Sequence, residues 1–298
     1  MLRFKDKLAI FALNHSKFLK YHSIFEISVR MDSHSIKIPI IQGVGLNNIK
    51  LHEPAIEQII GSVLSRRAGA FIDVGANIGQ TLLNVLRHDR DRQYVGFDVH
   101  PFCCAYVDRL IEINGLSQCQ IFPIGLSEEA TVVPLFYNTA HDGSSTIVEH
   151  FRTEDTYVKR KLAWIERGDH FVQQLALKKV CTIKIDVEGS EGSVLLGLIE
   201  TVQAFSPFII IEILPISHIA NDLAIDPSER DLIVSCRAKN LVQIQEFLTK
   251  TSYLSYRILQ DGNLEATTDF DMKQYDMNRC NYLLVPPTEV TFVNGAAR

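Results

Sequence analysis

Residues 71–79, Phe-Ile-Asp-Val-Gly-Ala-Asn-Ile-Gly, constrain the fold more than any other stretch of the chain. An apolar run rich in β-branched residues reads as a strand buried on both faces, and it ends in a Gly-x-Asn-x-Gly turn that opens into a helical stretch over 80–87. A strand, a tight glycine turn and a helix in this order make a unit that needs neighbouring parallel strands to bury it. Four further runs of the same type follow, at 93–98, 119–124, 180–186 and 208–213. Helical stretches at 102–114 and 192–205 separate them and stop near Gly115 and Pro207. Strands alternating with helices predict a mostly parallel, doubly wound sheet.

The later segments complete the sheet. Residues 228–250 read as one or two helices, 253–259 as a strand, Asp261-Gly262 as a turn, and 281–285 as a final strand. The expectation is an α/β, Rossmann-like sheet of seven mostly parallel strands with an antiparallel last strand, the class I methyltransferase variant rather than the six-stranded dinucleotide fold. Residues 1–69 form a small N-terminal cap with strand-like pieces at 24–29 and 36–41 and a helix near 54–65. Residues 70–298 form the main domain. Residues 127–179 interrupt the alternation with a hairpin around 131–137, a polar loop at 141–146 and helices near 157–167 and 169–177. That insertion falls near the carboxyl edge of the sheet, where it can shape a substrate pocket.

Bulk properties narrow the partners. With 298 residues, 46% hydrophobic and 22% charged, the chain is an ordinary globular protein able to bury a large core. A formal net charge of −5 argues against a nucleic-acid binder. The six cysteines show no CxxC spacing and no paired histidines, so neither a zinc site nor a redox pair is expected, and the thiols read as small buried hydrophobes of a cytoplasmic protein; no other ligand spacing marks a dedicated metal site. The apolar run at 8–13 is too short for a signal core or a membrane span. Residues 2–20 nevertheless have the makings of a basic amphipathic helix for peripheral membrane contact, with Arg3, Lys5, Lys7, Lys17 and Lys20 around Phe4, Phe11 and Phe18.

The chemistry is read from the strand ends. Gly75 and Gly79 permit a tight turn and close approach of a ligand, Asn77 sits between them, and the following helix N-terminus favours a ligand carboxylate. Asp73 is placed to accept from an amine and would repel a pyrophosphate. Asp98 ends the next strand about twenty residues on, where an acid can take both ribose hydroxyls. Ser127, after the third strand, offers an adenine-edge contact. A ligand with carboxylate, amine and nucleoside together is S-adenosyl-L-methionine. A nicotinamide cofactor shares the ribose acid, but the Gly-x-Gly-x-x-Gly spacing is missing. At the fourth strand end, in Ile183-Lys184-Ile185-Asp186-Val187-Glu188-Gly189, two acids two residues apart project to one side of an extended backbone. They can deprotonate an acceptor hydroxyl, Asp186 as the first candidate base and Glu188 as the second, steady the sulfonium and amine, or bind a divalent cation. Lys184 in that apolar run calls for a carboxylate partner. His141, in the polar loop, is a third candidate base.

The strings FIDVGANIG, IKIDVEGSE and PFIIIEI, with DGSST and the late NYLLVPP, resemble the FkbM-type methyltransferases over residues 70–214, with a weaker echo to 286. The resemblance implies an S-adenosyl-L-methionine-dependent O-methyltransferase acting on hydroxyls of a small molecule, sugar or glycan. By it, Asp73, Gly75, Asn77, Gly79 and Asp98 would bind cofactor, and Asp186 with Glu188 would line the reacting end. One departure is visible: family members often carry Glu-Pro at the second strand end, where this chain has Asp98-Val99-His100-Pro101. A non-catalytic binding protein on the same fold is the remaining alternative from a different class.

Overall fold

The computed structural model describes residues 24–31, 34–50, 53–139, 143–271 and 279–292. The candidate membrane-contact helix at 2–20 and the candidate base His141 lie outside the described residues.

The centre is a parallel sheet made of β3 (Ala70–Val74), β4 (Tyr94–Phe97), β5 (Cys119–Phe122), β9 (Val180–Ile185) and β10 (Phe208–Glu212). Every residue of β3, β4 and β9 is buried. Both faces are covered, which is why these strands read as continuous apolar runs instead of alternating ones. Each fully buried Ile or Leu contributes roughly 2–3 kcal/mol relative to exposure. Three more strands extend the sheet: β11 (Leu254–Ile258), β12 (Leu264–Ala266) and β13 (Asn281–Val285). The spatial order is β12-β11-β13-β10-β9-β3-β4-β5. Strand β13 inserts between β10 and β11 and runs antiparallel to both.

The sheet therefore corrects the expected seven strands to eight. The extra one is the three-residue β12, which pairs with β11 across the turn at Asp261-Gly262. Gly262 has φ +80°, a conformation that suits glycine, and the turn folds the chain back onto an edge. The other seven strands keep the expected order, with the antiparallel strand last in sequence.

Helices cover both faces. Helix α2 (Gln80–His88) follows β3, and α3 (Pro101–Asn114) follows β4 with Pro101 in its first turn and Gly115 at φ +62° closing it. Helices α5 (Glu191–Gly197) and α6 (Ile199–Phe205) link β9 to β10, and the long α8 (Pro227–Thr251) is capped by Asp226. Towards the N-terminus, β1 (Ile24–Arg30) and β2 (Ser35–Ile41) form an antiparallel hairpin, followed by α1 (Pro54–Leu64). Ile27, Ile36, Ile38 and Ile40 share one apolar cluster with Leu82, Val107 and Leu110, so the hairpin is packed onto α2 and α3. Asn48 Nδ2 adds a buried bond of 2.7 Å to the carbonyl of Ile78, anchoring the loop after β3.

The insertion departs from expectation. Residues 157–167, expected to be helical, contain β8 (Lys159–Arg167), which pairs antiparallel with β7 (Thr131–Tyr137) and parallel with β6 (Gly125–Ser127). The charged ends of Lys-Arg-Lys-Leu-Ala-Trp-Ile-Glu-Arg resemble an amphipathic helix, but burial alternates with period two, Ala163 and Ile165 inward and Leu162 and Trp164 outward. A seven-residue pairing with β7 overrides the local preference. No helix among the described residues is long and apolar enough to cross a membrane.

Candidate functional site

A crevice of about 680 Å³ opens at the carboxyl ends of β3, β4 and β9. Gly75, Asn77, Asp98, Asp186 and Glu188 all line it. The turn after β3 is shaped by backbone approach. Gly75 has φ +90°, and a Cβ there would fall 1.8 Å from the Asp186 carbonyl oxygen, so glycine is what lets the loops after β3 and β9 lie side by side. Asn77 is also left-handed, at φ +45°, a conformation asparagine tolerates. Gly79, at φ +83°, starts α2 beneath Leu110 and lies outside the crevice lining.

Asp98 sits on the crevice wall with both carboxylate oxygens engaged, Oδ2 accepting from the Asn77 N–H at 2.8 Å and Oδ1 from the His100 N–H at 2.7 Å. Burial raises its pKa to about 6 against those two bonds. His100 in turn caps α3 through Nδ1 and approaches Lys161 Nζ at 3.2 Å through Nε2. The residues Val99-His100-Pro101 thus supply both a helix start and the bond that fixes the acid.

Asp73 is placed differently from expectation. It is fully buried at the end of β3, outside the lining, where Oδ2 accepts from the Tyr94 hydroxyl at 2.5 Å. Burial raises its pKa to about 6, opposed by Lys184. Asp73 acts on the crevice from behind the loop. Ser127 is also outside the lining, its carbonyl turned towards Gly197 of α5, and Gly125 and Leu126 provide the wall there. From the insertion, Gly143, Ser145 and Ile147 close the crevice from above.

The loop after β9 carries charge. Lys184 is buried and contacts Asp186 Oδ2 at 2.9 Å, the partner its apolar setting requires. Burial alone would lower the lysine, but Asp186, Asp73 and Glu53 outweigh it and hold the ammonium above its ordinary range. Burial would raise Asp186, yet Lys184 and a bond from Glu212 hold it below the usual carboxylate range. Glu212 shows the opposite result: burial, then repulsion from Asp186 and Glu188, keeps it well above the usual range. One proton is held on Glu212, which donates to Asp186.

The extended spacing expected for Asp186 and Glu188 is broken at Glu188, whose φ is +55°. Both acids reach the crevice by way of a turn. Glu188 Oε2 accepts from Arg152 Nη2 at 2.6 Å, and its side chain is 10% exposed. Burial lifts its pKa to about 7 despite the arginine. Thr146 Oγ1 donates to the Glu188 carbonyl at 2.5 Å, tying the insertion to this turn. Glu191, at the start of α5, folds back to accept from the Gly189 N–H at 3.0 Å and from Asn240 Nδ2 at 2.6 Å. It is structural.

Tyr94, Arg152 and Glu212 belong to the site but to none of the motifs that mark it in the sequence. An acid ending the otherwise apolar run Phe208–Glu212 was the available signal for Glu212. Tyr94 reads as one more apolar strand residue, and Arg152 lies in irregular chain.

A five-stranded parallel core extended by an antiparallel insert, with acids at its second and fourth strand ends facing one crevice, defines a Rossmann-like fold of the class I methyltransferase type. Residues 73–249, more than half of the chain, match the model of the family described as Methyltransferase FkbM domain. The chain belongs to the FkbM methyltransferase family. It is 28% identical over 142 residues to Methyltransferase 1 of Beauveria bassiana, covering 43% of this chain and 57% of that protein. It is 27% identical over 155 residues to Methyltransferase sdnD of Sordaria araneosa, covering 43% and 60%. The chain thus spans less than two thirds of the length of these curated relatives. Among solved structures it is similar to Methyltransferase FkbM from Methylobacillus flagellatus, at 13% identity and a TM-score of 0.44 over 73% of this chain and 43% of that one. It is also similar to the O-methyltransferase from Bacillus cereus in complex with SAH, at 9% identity and a TM-score of 0.42 over 80% and 85%.

Proposed function

We propose that the crevice binds S-adenosyl-L-methionine and that the protein methylates a hydroxyl of a sugar, glycan or secondary metabolite. The observation that carries this reading is Asp98, held by two backbone N–H groups with its carboxylate on the crevice wall. Each oxygen keeps an acceptor direction for a vicinal diol, the ribose pattern. Phe97, Leu126 and Ile147 give apolar walls suited to a flat base, and Gly75 and Asn77 bring the turn before α2 to the crevice. A dinucleotide fits poorly, because Asp73 and Asp186 both lie beside the turn that a pyrophosphate would need.

When bound, the cofactor supplies an electrophilic methyl group on a sulfonium. Transfer of that methyl to an acceptor oxygen would free the hydroxyl proton, which the protein's own acids must take. Positioning supplies most of the rate in such a displacement, and a base adds about 10²–10⁴-fold. Asp186, kept ionised by Lys184, places a fixed negative charge on the crevice wall, where it would face a bound sulfonium. Glu188, titrating near neutrality and facing the same crevice, takes the proton.

Calorimetry with S-adenosylhomocysteine and with NAD tests the cofactor: binding of the first and none of the second is expected, and the reverse sinks the reading. Glu188→Gln is expected to lower kcat by about 10²–10⁴-fold while leaving S-adenosylhomocysteine affinity unchanged. The wild-type rate should rise with pH through about 7, as the Glu188 carboxylate forms. A flat profile assigns the proton elsewhere.

A further inference from the structure

A second cleft, of about 900 Å³, opens at the same edge of the sheet on the other side of Asp186. Glu53 and Pro54 bring the start of α1 to it, Glu212 ends β10 inside it, Asn281 begins β13 beside it, and Ile258 and Gln260 close it from β11. None of these residues belongs to the crevice described above. The two cavities are nevertheless joined by one hydrogen bond. Ile211 of β10 lies in register with Ile185 of β9, so Glu212 and Asp186 leave the sheet as neighbours. Glu212 faces the cleft, Asp186 faces the crevice, and their carboxyl groups are bonded to each other. Asn281 is paired with Glu212 across β10 and β13, which fixes its amide next to that carboxyl.

We infer that this cleft holds the body of the methyl acceptor, that Glu212, Asn281 and Gln260 hydrogen-bond it, and that the acceptor is a neutral polyhydroxylated group such as a glycosyl unit. The inference rests on the methyltransferase reading of the neighbouring crevice. Three features of the cleft set the chemistry. Its polar groups are two carboxyls and two amides, a set that both donates to and accepts from hydroxyls. Its apolar part, Pro54, Ala55, Ile56 and Ile258, gives a small platform of the kind that packs against a sugar ring. It contains no cationic side chain among its lining residues, while the Glu53 carboxylate opposes a phosphate or carboxylate. A reacting hydroxyl held at Glu212 is then directed past the Asp186–Glu212 pair towards the crevice. Because Glu212 carries the shared proton, its function is that of a neutral hydrogen-bonding acid, which an amide reproduces.

The test uses the full chain and begins with S-adenosylhomocysteine calorimetry on the wild type. Saturation-transfer NMR in the presence of S-adenosylhomocysteine then compares methyl glycosides of neutral hexoses with hexose 6-phosphates. Neutral glycosides are expected to bind and the phosphates not to. Gln260→Trp, at an exposed position where folding tolerates bulk, should weaken glycoside binding by about tenfold or more with S-adenosylhomocysteine affinity unchanged. Glu53→Lys should admit the phosphates. Glu212→Gln should retain glycoside binding, and Glu212→Ala should lose it. If S-adenosylhomocysteine fails to bind the wild type, the cofactor reading falls. If it binds and no glycoside does, or if Gln260→Trp leaves glycoside affinity unchanged, the cleft assignment falls while the cofactor reading stands.

Discussion

The loops after β3 and β9 lie against each other at one edge of the sheet and are held by different forces. The loop after β3 is fixed by backbone geometry: three left-handed residues, Gly75, Asn77 and Gly79, and the Asn77 N–H that ends on the Asp98 carboxylate. The loop after β9 also turns at left-handed residues, Glu188 and Gly189, but is distinguished by its charge. Lys184, Asp186, Glu188, Arg152 and Glu212 are pressed into a small volume, where each group's protonation is set by the others. Geometry of the first kind suits a site that holds one constant ligand. Charge of the second kind suits a site that moves a proton, since a few tenths of an ångström or one added charge changes which acid holds it.

Removing the central cation should break the second loop most severely. Lys184→Met keeps the length and apolar body of the side chain but leaves the fully buried Asp73 and the partly exposed Asp186 without it. A loss of about 3–5 kcal/mol is expected by urea unfolding, the usual cost of stripping one partner from a buried ion pair. The loss should shrink as pH falls towards 5, because the stranded acids can then bind protons. A pH-independent loss would show that Lys184 acts by packing alone.

Gly75→Ala attacks the point where the loops meet. The new Cβ meets the Asp186 carbonyl at 1.8 Å in a backbone conformation that disfavours any Cβ. Left-handed strain and a forced backbone shift together cost about 2–4 kcal/mol. S-adenosylhomocysteine binding and turnover should both fail, because one change displaces Asn77 and Asp186 together. Retained turnover would mean the two loops are not mechanically linked.

The same contrast explains what was legible in the sequence. Glycines at fixed offsets, apolar strands buried on both faces and an acid at the second strand end are local patterns, so residues 71–79 and Asp98 announce themselves. Asp73 was legible as an acid but not in direction: its turn towards Tyr94 depends on β4 lying beside β3. Ser127 was misplaced for a similar reason, since the packing of β6 against α5 decides where its backbone faces. The segment of β8 reads as a helix because the partner that makes it a strand, β7, lies more than twenty residues earlier in the chain. Arg152 and Glu212 join the acid cluster from irregular chain and from a neighbouring strand, and no spacing rule links either to Glu188.

The mildest expected effect compares the loops without any substitution. Asp73 and Asp98 titrate at about 6 and Glu188 at about 7 in the folded protein, each above its unfolded value. Between the unfolded and folded pKa values the folded state binds more protons, so stability falls as pH rises from about 4 to about 7. Asp186, shifted downward, acts the other way, but only below its ordinary value of 3.8, outside that window. Unfolding free energy of the ligand-free protein should therefore be higher at pH 5 than at pH 8. Saturating S-adenosylhomocysteine should flatten the part of this slope that belongs to Asp98, because ribose hydroxyls donating to the carboxylate favour its charged form. The part belonging to Glu188 should persist. A slope that survives the ligand unchanged would place the ribose away from Asp98, and a slope that disappears entirely would mean the charge cluster after β9 also contacts the ligand.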